Sequence, residues 1–130
     1  MKIKISKIDQ MFSLFIRTRA HWHCVRCGVK HPPPTSALHT AHFIGRGNKA
    51  TRFDPKNCVA LCYGCHSHFD GAGREEFRVF MLGRLGKKEF GALLRRGRSI
   101  KKESEAVQEA MKWLGPFMGD KTQHHVSSAD

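Results

Sequence analysis

Apolar residues near the start of the chain recur with the spacing of a helix. Over residues 7–20 they fall at intervals of three and four positions, at Ile8, Met11, Phe12, Phe15 and Ile16. Side chains spaced in this way share one face of a helix, whereas Lys7, Arg17 and Arg19 lie off that face. We therefore expect an N-terminal helix that packs on the core by its apolar side.

Three segments in the second half of the chain show the same spacing, at residues 75–82, 87–96 and 103–114. Gly115 and Pro116 would end the last of these helices. Together the segments predict a helical extension over residues 72–118. Residues 119–130 carry no core pattern, and we expect a disordered tail there.

The middle of the chain has a different pattern and is poor in large aliphatic residues. Residues 37–44 and 59–61 suit short strands, and residues 62–70 suit a short helix. The expected fold is therefore α+β, with a small core over residues 22–71. An N-terminal helix and C-terminal helices would flank this core, in a single domain over residues 1–118.

The charge of the chain adds information about function, because it indicates what kind of partner the chain binds. Lysine and arginine total 23 against 11 aspartate and glutamate, which gives a net charge of +12. Such an excess favours nucleic acid, since each neutralised phosphate releases bound counterions. A membrane partner is not expected, because the basic residues are not massed on one apolar helix and no run of about 18 apolar residues exists.

Four of the five cysteines form two Cys-x-x-Cys pairs, Cys24 with Cys27 and Cys62 with Cys65. Each pair can place two thiolates on one tetrahedral ion, so the two pairs predict a structural zinc with no open coordination position. Redox dithiols are the alternative, but the sequence lacks a thioredoxin-like setting for them. Cys58 lies close before Cys62 and could compete as a ligand, although a small buried hydrophobe is its favoured role.

Three residues near the cysteine pairs suit phosphodiester hydrolysis, namely His42, Asn57 and His66. A neutral imidazole near pH 7 can take a proton from water, so His42 is the candidate general base. The amide of Asn57 can brace the loop that orients this imidazole, and a divalent cation can clamp the phosphate and the leaving oxygen. A lone histidine followed by Phe is more often a packed residue, and the catalytic interpretation of His42 depends on its neighbours.

The stretch HTAHFIGRGNKATRFDPKNCVALCYGCH resembles the HNH signature, which has a His on a strand, an Asn after a loop and a His on the following helix. More narrowly, DQMFSLFIRTRAHWHCVRCG, AHFIGRG and TRFDPKNCVALCYGCH are similar to the NinG-like phage recombination endonucleases. The resemblance covers residues 8–71 and implies a ββα-metal (His-Me finger) core. It also implies His42 as the base, Asn57 as the bracing amide and His66 as a ligand of a catalytic Mg²⁺, Mn²⁺ or other divalent cation.

The sequence departs from the commonest form of this family directly before the base, where Ala41 stands in place of an Asp or His ligand. His39 has the same strand parity as Ala41 and could substitute as a ligand if the strand bends. Asp70 would share a helix face with His66 and could join it on the cation. The departure leaves the complete ligand set and the preferred metal open.

Two basic zones are candidate contacts to DNA phosphates. The loop between the base and Asn57 carries three cations, Arg46, Lys49 and Arg52. A later run without balancing acids carries three more, Arg95, Arg96 and Arg98. Nothing in the chain resembles a base-reading helix of a known type, so we expect recognition of DNA structure over recognition of sequence.

These patterns together predict a metal-dependent DNA endonuclease, which by the resemblance acts on branched or recombination-intermediate DNA. The alternative is a non-catalytic, zinc-dependent DNA-binding module in which His42 merely packs. A zinc module for protein interactions is a third interpretation, which the net charge of +12 disfavours. If a phage encodes the chain, the expected location is the cytoplasm of the bacterial host cell. The sequence leaves the oligomeric state open.

Overall fold

The computed structural model describes residues 4–119. Within them, helices enclose a two-stranded sheet. The elements in chain order are α1 Ile5–Arg19, β1 Leu38–His42, a 3-10 turn Pro55–Asn57, β2 Cys58–Cys62, α2 Tyr63–Asp70, α3 Arg74–Gly97 and α4 Glu103–Gly119. The α+β prediction is confirmed, and so are an N-terminal helix, two short strands, a short helix and further helices in that order.

The sheet consists of β1 and β2, which pair antiparallel. His42 at the end of β1 lies opposite Cys58, and Leu38 at its start lies opposite Cys62. Ala41 and Val59 form the facing pair next to His42 and Cys58, and both are fully buried. Because α2 begins directly after β2, the end of the sheet, two cysteines and the start of a helix meet within a few residues.

Two apolar clusters hold the helices on this sheet. One lies among the sheet, α2 and α3, where the rings of Phe69 and Phe77 stack with their centroids 4.6 Å apart. The other joins α1 to α4, and there Ile8 and Phe12 meet Leu114. The apolar face predicted for α1 is thus confirmed. Helices from before and after the strands in the sequence contribute to the two clusters.

The predicted end of the last helix is wrong, because α4 continues through Pro116 to Gly119. A proline inside a helix forfeits one backbone hydrogen bond and crowds the preceding turn. Here the next residue, Phe117, is buried in the second cluster, and its ring lies 5.3 Å from that of Phe15. We attribute the extension to this packing, which offsets the cost of the proline.

The two helical segments predicted at 75–82 and 87–96 are confirmed as the two parts of α3, which are separated by a non-helical residue, Gly86. Gly86 adopts a φ of 83°, a backbone conformation that favours glycine. The predicted tail over residues 119–130 lies outside the described residues except for Gly119, the last residue of α4. Among the described residues, no helix is long and apolar enough to cross a membrane.

Candidate metal centre and catalytic cleft

The four cysteines of the two predicted pairs converge on one point, with their sulfur atoms all within 4.8 Å of one another. Cys24 and Cys27 lie on a turn where the amide of Gly28 donates to the carbonyl of Cys24, and Gly28 has a φ of 80°. Cys62 ends β2 and Cys65 lies in the first turn of α2. The four cysteines are therefore positioned to bind a metal ion, consistent with a structural zinc.

The electrostatics of the cluster fit a cation. Burial raises the pKa of Cys24, but hydrogen bonds, first from the Cys27 and Cys62 amides, outweigh it and bring that pKa to about 7. Burial raises the pKa of Cys65 to about 12, against a hydrogen bond from Arg26, which lies 3.4 Å from its sulfur. Crowded thiols resist joint ionisation, whereas a bound zinc ion deprotonates all four.

The fifth cysteine, Cys58, lies outside this cluster. Its side chain is buried in the second apolar cluster beside Ile8, Phe12 and Phe53. Burial raises the pKa of its thiol well above the ordinary value. Cys58 therefore packs as a small hydrophobe, and the competing interpretation as a ligand has no support in the geometry.

A cleft of about 520 Å³ opens beside the sheet, and its lining includes His42, Arg46, His66, Asp70 and Arg74. His42 comes from the end of β1, His66 and Asp70 from α2, and Arg74 from the first turn of α3. The structure thus brings together two of the three residues of the predicted HNH set in one solvent-accessible cavity. Their catalytic roles stay predictions.

The His42 imidazole is oriented by the backbone of the loop that follows it. Its Nε2 lies 2.9 Å from the carbonyl oxygen of Arg52, which can only accept a hydrogen bond. Nε2 therefore carries the proton in the neutral ring, and Nδ1 keeps its lone pair. Burial lowers the pKa of His42, the Arg52 carbonyl works in the opposite direction, and the charge of Arg46 lowers the pKa further. The neutral ring is the form that accepts a proton.

Asn57 is fully buried and does not line the cleft. Its Oδ1 accepts from the amide of Ile44 at 2.8 Å, and its Nδ2 donates to the carbonyls of Ile44 and Thr51 at 2.9 and 3.1 Å. The side chain therefore ties both ends of residues 44–51 to the start of β2. Since Arg52 follows directly, these bonds also place the carbonyl that holds His42.

His66 lies between two polar side chains. Its Nε2 is 3.1 Å from Oδ2 of Asp70, one helical turn later, and its Nδ1 is 3.0 Å from Nδ1 of His39. The two candidate ligands from the sequence thus both reach His66, but on opposite sides of its ring. Within residues 4–119, the four cysteines are the only group of three or more His, Cys, Asp or Glu side chains that is arranged to hold a metal ion. His66 and Asp70 form a pair and not a preformed cage.

Arg74 is a cleft residue that the sequence analysis missed. Its Nη2 donates to the carbonyl of Phe43, and its guanidinium lies over the Phe43 ring at 4.6 Å. These contacts hold the positive charge of Arg74 beside His42, although Arg74 and His42 are far apart in sequence. A single arginine after the glycine-rich turn at 71–73 carries no motif, so no local signal could have found it.

The six predicted DNA contacts divide into free and paired cations. Arg46, Lys49, Arg95 and Arg98 are exposed. Arg52 instead donates from Nε to Oδ1 of Asp9 at 3.0 Å and pairs a second time through Nη2. Arg96 lies 2.6 Å from Asp54. The DNA contacts of all six residues stay predictions, and the structure adds that α1 and the turn before β2 supply acids that pair with Arg52 and Arg96.

Fold and site define a small α+β protein that combines a four-cysteine metal-binding cluster with a histidine-lined cleft. Comparison with protein families gives a match over residues 2–114 to the family described as "NinG: Bacteriophage Lambda NinG protein". The chain belongs to this family. Searches of the curated proteins and of the solved structures find no significant match.

The cysteine cluster yields a prediction about metal content. Cys24→Ser and Cys65→Ser should each lose the zinc and unfold at a lower temperature, because a three-thiolate site holds the two halves of the cluster less tightly. Elemental analysis of purified protein and thermal unfolding measure the two effects. Cys58→Ala is the matched control and should keep its zinc. Wild-type protein that purifies without zinc would contradict the prediction.

Proposed function

We propose that the chain is a metal-dependent DNA endonuclease of the HNH (His-Me finger, ββα-metal) class. One observation carries the proposal: the Arg52 carbonyl fixes the proton of His42 on Nε2, which leaves Nδ1 free to accept a proton in a cleft that His66, Asp70 and Arg74 also line. A general base needs this combination of a lone pair, a fixed ring and access to water.

The residues at the α2 side of the cleft fit a divalent cation. His66 Nε2 and Asp70 Oδ2 lie 3.1 Å apart, so these two residues would hold the cation. A nitrogen and a carboxylate oxygen suit Mn²⁺, and Mg²⁺ with water in the remaining positions. When bound, the cation would supply a positive charge beside the scissile phosphate and the leaving oxygen.

The chain's own groups perform the rest of the reaction. Nδ1 of His42 accepts a proton from water, and the water oxygen forms a bond to phosphorus as the bond from phosphorus to the 3′ oxygen breaks. The leaving 3′ oxygen takes up a proton from solvent water, and the products carry a 5′-phosphate and a 3′-hydroxyl. Arg74, held by the Phe43 carbonyl, stabilises the charge on the phosphoryl oxygens. Asn57 holds the loop that keeps His42 in place.

The substrate proposed is branched or recombination-intermediate DNA of a phage, in the cytoplasm of a bacterial host. Membership in the lambda NinG family supports a role in phage recombination. The exposed cations lie on the loop after β1 and at the C-terminal end of α3, which meet in space because Nδ2 of Asn48 donates to the carbonyl of Gly97 at 2.7 Å. This contact supports one basic surface that includes Arg46 and Arg98, as suits binding to phosphates over the reading of bases.

The rival function is a non-catalytic, zinc-dependent DNA-binding module. The cysteine cluster and the net charge of +12 suit both functions equally. The cleft favours the nuclease, because a binding module has no use for a fixed neutral imidazole next to a possible cation site. Wild-type protein that binds branched DNA but leaves it intact with Mg²⁺ and with Mn²⁺ would establish the binding module instead.

The mechanism predicts that His42→Ala folds, keeps its zinc and binds DNA, yet cuts far more slowly. Loss of a general base slows hydrolysis by about 10²- to 10⁴-fold, or about 3 to 5 kcal/mol of barrier. Single-turnover cleavage of a branched substrate and of supercoiled plasmid measures the rate. His68→Ala is the control, because that imidazole pairs with Glu76 and not with the cleft, and its rate should not change. Unaltered cleavage by His42→Ala would refute the assignment.

The pH dependence of cleavage follows from the lowered pKa of His42. Below that pKa the ring is an imidazolium without a lone pair, so cleavage should rise with pH through a midpoint below the ordinary histidine value of about 6.5. Arg46→Gln removes a cation that lowers this pKa and should move the midpoint to higher pH, measured at saturating DNA. Lys49→Gln in the same loop is the matched control. A midpoint that Arg46→Gln leaves unmoved would show that another group titrates.

The exposed cations predict how binding depends on salt. Arg95→Ala with Arg98→Ala should weaken DNA binding and flatten the slope of log K against log salt by up to about 0.9 for each lost phosphate contact. Arg78→Ala serves as the control, because its guanidinium is paired with Glu75. Fluorescence anisotropy at several salt concentrations gives the slopes. Equal slopes for the double variant and the wild type would mean that both arginines merely face solvent.

A further inference from the structure

His39 makes a contact whose chemistry the proposed mechanism does not use. Its Nδ1 lies 3.0 Å from Nδ1 of His66, with the ring centroids 5.2 Å apart, and its Nε2 lies 3.2 Å from the carbonyl oxygen of Ser36. His39 is on β1 and His66 on α2, so this contact joins the sheet to the helix that carries the candidate metal ligands.

The proton positions along this chain of contacts follow from its fixed end. The Ser36 carbonyl can only accept, so Nε2 of a neutral His39 carries the proton and Nδ1 is an acceptor. The hydrogen bond to His39 then requires that Nδ1 of His66 donates. Nε2 of His66 is left with its lone pair, 3.1 Å from a carboxylate oxygen of Asp70 that is also an acceptor.

Two acceptors at this distance repel each other unless a proton or a metal cation lies between them, and in the neutral ring only a metal cation can do so. The contact with His39 therefore prepares His66 to coordinate through Nε2, on the side where Asp70 stands. The cleft is consistent with this direction, because its lining includes His66 and Asp70 but not His39. His39 lies behind the ligand, where a metal-bound imidazole commonly donates its second N–H to an acceptor.

We infer that His39 is a positioning residue, which holds His66 in the tautomer and ring orientation that bind the catalytic cation. It is not the substitute ligand for the missing side chain at Ala41. The inference rests on the cation site of the proposed function. The positioning of His66 matters particularly in this chain, because His66 and Asp70 are a pair of ligands and Ala41 offers no third.

The first experiment measures Mn²⁺ affinity by electron paramagnetic resonance on zinc-loaded protein, without DNA. His39→Ala should bind Mn²⁺ about 10- to 100-fold more weakly, as expected when the partner of a metal-bound histidine is lost. His39→Asn should restore much of the affinity, because an amide oxygen can accept the same hydrogen bond from His66. His68→Ala, on the same helix but bonded to Glu76, should leave the affinity unchanged.

The second experiment counts the nitrogen nuclei coupled directly to Mn²⁺ by electron spin echo modulation. Positioning by His39 predicts one coordinated imidazole in the wild type and one in His39→Asn. Two coordinated imidazoles in the wild type, falling to one in His39→Asn, would make His39 a ligand and overturn the inference. Wild-type protein without a Mn²⁺ site beyond the zinc would overturn it as well.

The nuclease proposal is tested by DNA cleavage and not by the coordination of Mn²⁺. If Mn²⁺ binds with one coordinated imidazole and no DNA is cut, the nuclease proposal fails and the role of His39 remains. If DNA is cut and two imidazoles coordinate, only the role of His39 fails. Zinc content and thermal unfolding of each variant show whether a loss of Mn²⁺ affinity is due to misfolding. If His39→Ala misfolds, the Mn²⁺ affinity of His39→Asn decides the outcome.

Discussion

The convergence of four cysteine thiols on one point is the constraint on which the rest of the structure depends. Cys24 and Cys27 precede β1, and Cys62 and Cys65 span the junction of β2 with α2, so the cluster closes the central unit at both ends. This unit has few large aliphatic side chains, and a bound zinc ion would supply folding free energy that so small a core lacks. The residue that follows Cys65 is His66, whose position in the chain is therefore tied to the cysteine cluster.

The cleft depends on a second constraint, which is the burial of one amide. Asn57 bonds to the amide and the carbonyl of Ile44 and to the carbonyl of Thr51, which also accepts from the Asp54 amide. An unpaired buried polar group costs about 1–3 kcal/mol, so the buried Asn57 side chain must keep these hydrogen bonds. The conformation of the loop therefore depends on them and not on local backbone preferences. The Arg52 carbonyl comes from the end of this loop, and the proton position of His42 is thus a consequence of the fold.

Local patterns were sufficient to predict the helices, the strands, the cysteine cluster and the residues of the cleft that share a motif. His66 and Asp70, for example, follow from the period of a helix. Long-range pairs were beyond reach, because nothing in the sequence near Arg52 or Arg96 indicates that Asp9 and Asp54 neutralise them. Arg74 was missed for the same reason, and the run of α4 through Pro116 depends on the packing of Phe117 against α1.

His39 illustrates how the strand face of a residue can be predicted while its specific neighbour is known only from the fold. Strand parity places it on the side of Ala41, which suggested a ligand, but parity does not say which side of the His66 ring it reaches. The structure supplies that information through the Ser36 carbonyl, which fixes one proton and thereby the next along the chain of contacts. The same logic applies to His42 and Arg52. In both histidines of β1, a backbone acceptor on Nε2 determines what Nδ1 is free to do.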